Sequence, residues 1–244
     1  MKFKKYILPI GIVASIGFAF YAVESDSSVV YVQASKGSFN DAAITKLFSL
    51  KPKLKSDVEF SGTPKNAFKQ ADDNNQLAFA AVTNSTITGN LVRASVEAVQ
   101  EYKIIDVKAL ISIPIEMCVL MSKSDIDKGV EIKYIASHPA ALKQISGWKA
   151  PLNAEEIAVP EGTAAAAEKV SNNKYPEGTA AIGSCVLEST YPNISVVAKA
   201  VQDNKNNNTS FLLAKVEKRD LALTELEARR ELNNAISSVN IINK

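Results

Sequence analysis

Ser137-His138-Pro139-Ala140-Ala141-Leu142-Lys143-Gln144 concentrates more potential chemistry than any other stretch of this 244-residue chain. It follows Val130 to Ala136, where apolar and polar side chains alternate as they do in a strand. Proline suits the first turn of a helix, so the order predicts a strand running into a helix start, with Ser137 as the N-cap. The hydroxyl and the free amides of that first turn would face whatever lies beyond the strand end, an arrangement suited to a carboxylate. A second polar run, Asn204 and Asn206 to Asn208, leads through Thr209 into the strand-like segment Ser210 to Val216. Thr209 is either an ordinary strand threonine or a hydroxyl placed for function. No residues show metal-ligand spacing, because the chain has one histidine and no Cys-x-x-Cys, and no glycine loop is suited to cradle a phosphate.

The elements that must position these residues alternate along the chain. Strand-like runs at Val29–Ala34, Val58–Ser61 and Leu77–Val82 are each followed by a helical pattern, at Phe39–Leu50, Pro64–Ala71 and Asn90–Tyr102. Leu110–Ile113 and Met117–Met121 read as strands entering a second lobe, and Ile135, Ile157 and Ala180–Ile182 mark further strands within it. Ile194–Ala198 and Ser210–Val216 read as strands returning to the first lobe. The rhythm predicts an α/β protein of two lobes with mainly parallel sheets and an interlobe cleft lined by strand ends. The expected division is residues 26–106 plus 191–217 for lobe 1, 107–190 for lobe 2, and 218–244 for a C-terminal helix. An apolar stripe of Leu221, Ala228, Leu232, Ala235 and Val239 predicts docking of that helix on its own domain, with a short coiled homodimer contact as the alternative.

Residues 1–25 have a different character. Lys2, Lys4 and Lys5 precede an apolar run from Tyr6 to Val23, the layout of a signal peptide or an N-terminal membrane anchor. The expected location is periplasmic or extracellular, with membrane contact only through this segment. Setting aside those three lysines takes the formal net charge from +2 to −1, which points away from nucleic acid as a partner. Cys118 and Cys185 could pair in an exported protein, although their spacing does not show that they meet.

Ser137 to Gln144 resembles the Ser-His-Pro-Gln-Ala-Leu-x-Gln block of prephenate dehydratases. Further blocks follow in the family's order: Ala34 to Phe39, Ala81-Val82-Thr83-Asn84-Ser85 with Gly89, Gly162-Thr163-Ala164-Ala165-Ala166, Ala180 to Gly183, and Asn207-Asn208-Thr209-Ser210-Phe211. The resemblance covers about Val30 to Val216. It implies a two-lobed fold like that of type II periplasmic binding proteins, and a cofactor-free lyase that removes water and carbon dioxide from prephenate to give phenylpyruvate. It also implies a small-molecule carboxylate as ligand, with Thr209 at the departing hydroxyl. Ser137, Asn84, Gln144, Ser85, Ser38, Asn207 and Thr163 are the implied substrate-binding positions, and His138 is read as a helix-start device rather than a base.

Two departures stand out. Ser210 replaces the family's arginine and Thr83 its glutamate, which is expected to strip a fixed positive charge and a titratable group from the cleft. Lys143 and Lys36 are the candidates to restore the charge. After Phe211 about 33 residues remain, too few for the family's usual phenylalanine-sensing domain, so feedback through such a module is not expected. The alternative to a lyase is a non-catalytic exported binding protein for an aromatic or dicarboxylate metabolite.

Overall fold

Val29–Gln33 (β1), Asp57–Gly62 (β2) and Leu77–Asn84 (β3) form the parallel heart of the first sheet, β1 lying between the other two. The computed structural model describes residues 28–242, so the lysine-led N-terminal segment lies outside the described residues. Phe39–Leu50 (α1) and Pro64–Asp73 (α2) follow β1 and β2. Each begins at a hydroxyl N-cap: Ser38 Oγ accepts from the Asp41 amide and Thr63 Oγ1 from the Asn66 amide. Arg93–Glu101 (α3) then leads into a long strand, Tyr102–Pro114 (β4).

The chain crosses to the second lobe between Pro114 and Met117–Ser122 (β5). There the short helix Lys123–Asp127 (α4) precedes Tyr134–Ser137 (β6), Pro139–Leu142 (α5) and Ser146–Lys149 (α6). Glu155–Ala158 (β7), Thr163–Ser171 (α7), Thr179–Ser184 (β8), Leu187–Thr190 (α8) and Ile194–Ala198 (β9) complete the lobe. A loop over residues 199–207 returns to Asn208–Lys218 (β10), after which come Glu225–Ser237 (α9) and Ile241–Ile242 (β11).

Strand order is β11-β4-β10-β3-β1-β2 in one sheet and β7-β6-β8-β5-β9 in the other. The two sheets share one plan. In each, a parallel trio is joined by a strand that arrives from the other lobe and runs antiparallel to both of its neighbours: β10 in the first sheet, β5 in the second. This is the two-lobed α/β fold of type II periplasmic binding proteins. The crossings are tied together, with the Ile115 amide donating to the Asn207 carbonyl at 2.8 Å and the Val201 amide to the Met117 carbonyl at 3.0 Å.

Three boundaries differ from the sequence reading. Leu110–Ile113 belongs to β4 and stays in the first sheet. Ile194–Ala198 does not return to lobe 1; it pairs with β5 and closes the edge of the second sheet. Both segments are apolar strands, and apolar runs do not record which sheet pairs with them. Val130 to Ile132 stays outside β6, which begins at Tyr134. The C-terminal helix α9 docks on its own domain, burying Ala228, Leu232 and Ala235 in the cluster that holds Val96, Val99 and Leu212.

The first sheet separates two cores. One face carries Val30, Phe79, Ile111 and Phe211 toward α1 and the second lobe. The other carries Tyr31, Val82 and Leu212 toward α2, α3 and α9. Phe79 and Phe211 stack beneath the interlobe cleft with ring centroids 5.7 Å apart, which gives it an apolar floor. In the second lobe, Cys118 on β5 is bonded to Cys185 just after β8, two residues beyond Gly183, the partner of Cys118 in the strand ladder. Among the described residues no helix is long and apolar enough to cross a membrane.

Candidate functional site

Between the lobes lies a cleft of about 380 Å³. The helix starts that open onto it are those of α1 (Ser38, Phe39, Asn40) in the first lobe, and of α5 (His138, Ala140, Ala141) and α7 (Gly162, Thr163, Ala164) in the second. Thr209 and Asn84 face it from the first sheet, Gln144 from the loop after α5, and Asn207 from the end of the crossing loop.

The first sheet brings Thr209 and Asn84 together by register, since they are paired residues on β10 and β3. Asn84 Nδ2 donates to Thr209 Oγ1 at 2.7 Å and to Asn207 Oδ1 at 2.9 Å. Asn207 Nδ2 in turn donates to Gln144 Oε1 at 2.8 Å, and Gln144 Nε2 to the Ala140 carbonyl at 3.0 Å. Asn84 Oδ1 accepts from the Thr86 amide at 2.8 Å and from the Thr86 hydroxyl. Every amide in this chain therefore has a fixed direction, and the direction presents N–H to the Thr209 oxygen. The Thr209 hydroxyl donates to no protein group among the described residues, so its proton is available to a ligand.

Of the residues predicted from sequence, Thr209, Asn84, Asn207, Gln144, Ser38 and Thr163 line the cleft. Ser137 does not. Its side chain is fully buried and its hydroxyl donates to the Ile182 carbonyl at 2.7 Å, joining β6 to β8. With Pro139 as the first helical residue the N-cap is His138, whose Nδ1 accepts from the Ala140 amide at 3.2 Å. Ser137 is thus a structural residue of the second sheet, and from this block it is Gln144 that reaches the cleft, where it meets Asn207. Ser85 also stands aside from the cleft. It clasps the crossing loop, donating to the Asn206 carbonyl at 3.0 Å and accepting from the Asn208 amide at 2.9 Å.

The two departures fall elsewhere than expected. Thr83 and Ser210 are partners across β3 and β10, and neither lines the cleft. Ser210 lies between Thr209 and Phe211, which both face the cleft, so strand alternation turns it to the opposite side. A glutamate and an arginine at these positions would face each other across the ladder. Neither departure replaces a residue that lines the cleft. Lys143 and Lys36 do not line it either, and no lysine or arginine does among the described residues. Its acid is Glu161, whose carboxyl is held below the ordinary range by a hydrogen bond from its own backbone and by Lys169, 2.9 Å away.

Sequence reasoning missed Asn40 and Gln33. Gln33 Oε1 accepts from the Ala81 amide at 3.0 Å where β1 and β3 meet the cleft. Asn40 sits in the first turn of α1 with a buried Oδ1 that has no hydrogen-bond partner. Its signal was its place two residues after the N-cap Ser38.

The family pattern of prephenate dehydratase matches residues 30–219. The chain belongs to the prephenate dehydratase family. Solved structures agree on the fold. The prephenate dehydratase of Arthrobacter aurescens in complex with L-Phe shares 21% identity at a TM-score of 0.62, over 80% of this chain and 61% of that one. The prephenate dehydratase of Staphylococcus aureus subsp. aureus Mu50 shares 18% at 0.57, over 79% and 68%. GqqA, described as a novel type of quorum quenching acylase, shares 20% at 0.57, over 80% and 66%. The chain thus spans roughly two thirds or less of those proteins' lengths, and the likeness concerns the prephenate dehydratase fold. A comparison with curated proteins returned no match. The only described cluster of metal-ligating residue types joins Glu116 to Cys118 and Cys185, whose sulfurs are taken up by the disulfide.

Proposed function

We propose that this chain is a prephenate dehydratase-type lyase acting outside the cytoplasm, with Thr209 as its proton donor. The observation that carries the reading is the Thr209 hydroxyl, which accepts from Asn84 inside the cleft while keeping its own proton free. In the reaction, the bond from the ring to its carboxylate breaks and carbon dioxide leaves. The electron pair becomes a ring double bond, and the carbon–oxygen bond to the ring hydroxyl breaks. The Thr209 proton passes to the departing oxygen to form water, and solvent returns a proton to Thr209. Asn84 stabilises the negative charge that develops on Oγ1 in between.

The substrate's carboxylates have two places to bind, the starts of α1 and α7. Gln144 and Asn207 act through Asn84, holding its amide in the donating orientation. Export is supported by the lysine-led apolar segment and by the Cys118–Cys185 bond, since disulfides persist in oxidising compartments.

Release of phenylpyruvate from prephenate by the purified chain, followed by absorbance at neutral pH, tests this reading. A rate no higher than the spontaneous reaction would remove it. A second reading, a non-catalytic exported binding protein, is favoured by one observation: no lysine or arginine lines the cleft among the described residues. Calorimetric binding of aromatic carboxylates without any turnover would support it.

A further inference from the structure

The stretch Lys51 to Lys55, on the far side of α1 from the cleft helix start, has no task in the lyase reading. There the chain leaves α1 through a short 3₁₀ turn, Pro52–Leu54, which walls an open groove of about 420 Å³. Leu50, Leu54 and Ile242 supply its apolar lining, Lys51, Lys53 and Lys108 supply its charges, and no acidic residue lines it. Lys108 is paired with Asp106, whereas Lys46, Lys51, Lys53 and Lys55 form no ion pair among the described residues. Leucines interleaved with unpaired lysines on an exposed face suit a surface that is anionic at its boundary and apolar just beneath.

Covalent geometry says what that face meets. Ser56 Oγ donates to the Leu54 carbonyl at 3.2 Å and shares a hydrogen bond of 2.8 Å with Ser28 Oγ, and the Ser28 carbonyl accepts from the Asp57 amide at 2.9 Å. The chain therefore enters β1 at the rim of the groove. The apolar run led by Lys2, Lys4 and Lys5 ends at Val23, five residues before Ser28. Five residues span at most about 18 Å when fully extended. An apolar run seated in a bilayer thus holds Ser28, and the groove beside it, within about two Debye lengths of the lipid headgroups at physiological salt. We propose that the Lys51–Lys55 face rests on an anionic lipid surface, with Leu50 and Leu54 at the headgroup level. The proposal is independent of the lyase reading and rests on the reading that residues 1–25 reach a membrane. A second copy of the chain suits the face poorly, because a symmetric contact sets lysine against lysine. A nucleic acid suits it poorly too, since no aromatic side chain lines the groove to stack a base.

Acetylation of amines on the full chain, read lysine by lysine by mass spectrometry, tests the proposal. The chain is added to vesicles of phosphatidylcholine alone and to vesicles with about one third phosphatidylglycerol, which carry the negative surface potential. Each lysine at such a surface strengthens the contact about fivefold at low salt. Lys51, Lys53 and Lys55 should therefore label at least about fivefold more slowly on the anionic vesicles, and the difference should fade as salt rises. Lys174, exposed on the second lobe, should label equally on both. Lys51→Gln combined with Lys53→Gln should return Lys55 toward its rate on neutral vesicles, with melting unchanged. Equal labelling on the two lipids, or slowing that neither salt nor the double substitution relieves, would overturn the proposal. Slow labelling without vesicles that deepens with protein concentration would assign the face to a second copy and overturn it as well. Flotation with neutral vesicles tests the membrane reading of residues 1–25 separately. A chain that floats with them but labels equally on both lipids keeps that reading and loses this one. A chain that floats only with anionic vesicles, and only with its lysines in place, loses the anchor and keeps the lysine face.

Discussion

In the proposed lyase reading Thr209 carries the chemistry through one hydroxyl group, and replacing that group isolates its contribution. Thr209→Val keeps the β-branched shape that suits β10 and deletes only the oxygen that accepts from Asn84. Under the lyase account the variant should lose turnover by about 10²- to 10⁴-fold, the usual span for a lost acid–base group. Its melting temperature and ligand affinity should stay near those of the parent, as thermal denaturation and calorimetry would show. Thr209, Asn84, Asn207 and Gln144 were legible in the sequence because they stand in blocks that resemble the family's, in the family's order. Ser137 misled, because its block fixed the neighbourhood but not the direction of its hydroxyl, which β8 claims at the Ile182 carbonyl. Asn40 was legible only as a residue of the first turn after the N-cap Ser38, since an unpartnered oxygen is a property of packing and leaves no pattern along the chain. Thr83 and Ser210 looked like damage to the site until their cross-strand pairing set them on the other face of the sheet.

Elements hold these residues in place, and one close contact between the lobes is at Gly37, in the loop from β1 to α1. Its φ of +79° is one that L side chains rarely adopt, and a Cβ there would lie 2.6 Å from Leu187 Cδ2 on α8 of the other lobe. Gly37→Ala should both strain the loop and push the lobes apart. A stability loss above roughly 1 kcal/mol in denaturant titration, together with weaker ligand binding, is expected. Unchanged binding would show that the α1–α8 contact does not set the cleft width. On the far side of the first sheet, Glu101 at the end of α3 joins Lys65 of α2 to Lys218 of β10. Hydrogen bonds from Lys218 and then Lys65 hold its carboxyl below the ordinary glutamate value. A depressed carboxyl contributes stability above its unfolded pKa and loses it as pH falls through the folded value. Acid titration below about pH 4.3, the ordinary glutamate value, should therefore narrow the stability gap between the parent and Glu101→Gln. The alternation of strands and helices was readable because 2.0 and 3.6 residue periods differ. Which sheet received Ile194–Ala198 was not, because partner choice depends on the chain's crossings.

At the scale of the whole molecule, two sheets of matching plan exchange one strand each, so the cleft is bounded by both crossings and by both lobes' helix starts. The Cys118–Cys185 bond closes a stretch of 67 residues that holds most of the second lobe. Reduction should cost about 2–4 kcal/mol of stability, the usual range for a native disulfide, and should lower the melting temperature of the second lobe. A melting curve indifferent to reductant would show that the bond contributes little. The central claim is that this cleft turns over its ligand as well as holding it. The most direct measurement is the initial rate of phenylpyruvate release from prephenate by the full chain, set beside its Thr209→Val variant. The account predicts a parental rate clearly above the spontaneous reaction and a variant rate close to it. Parental and variant rates both equal to the spontaneous one would contradict the account.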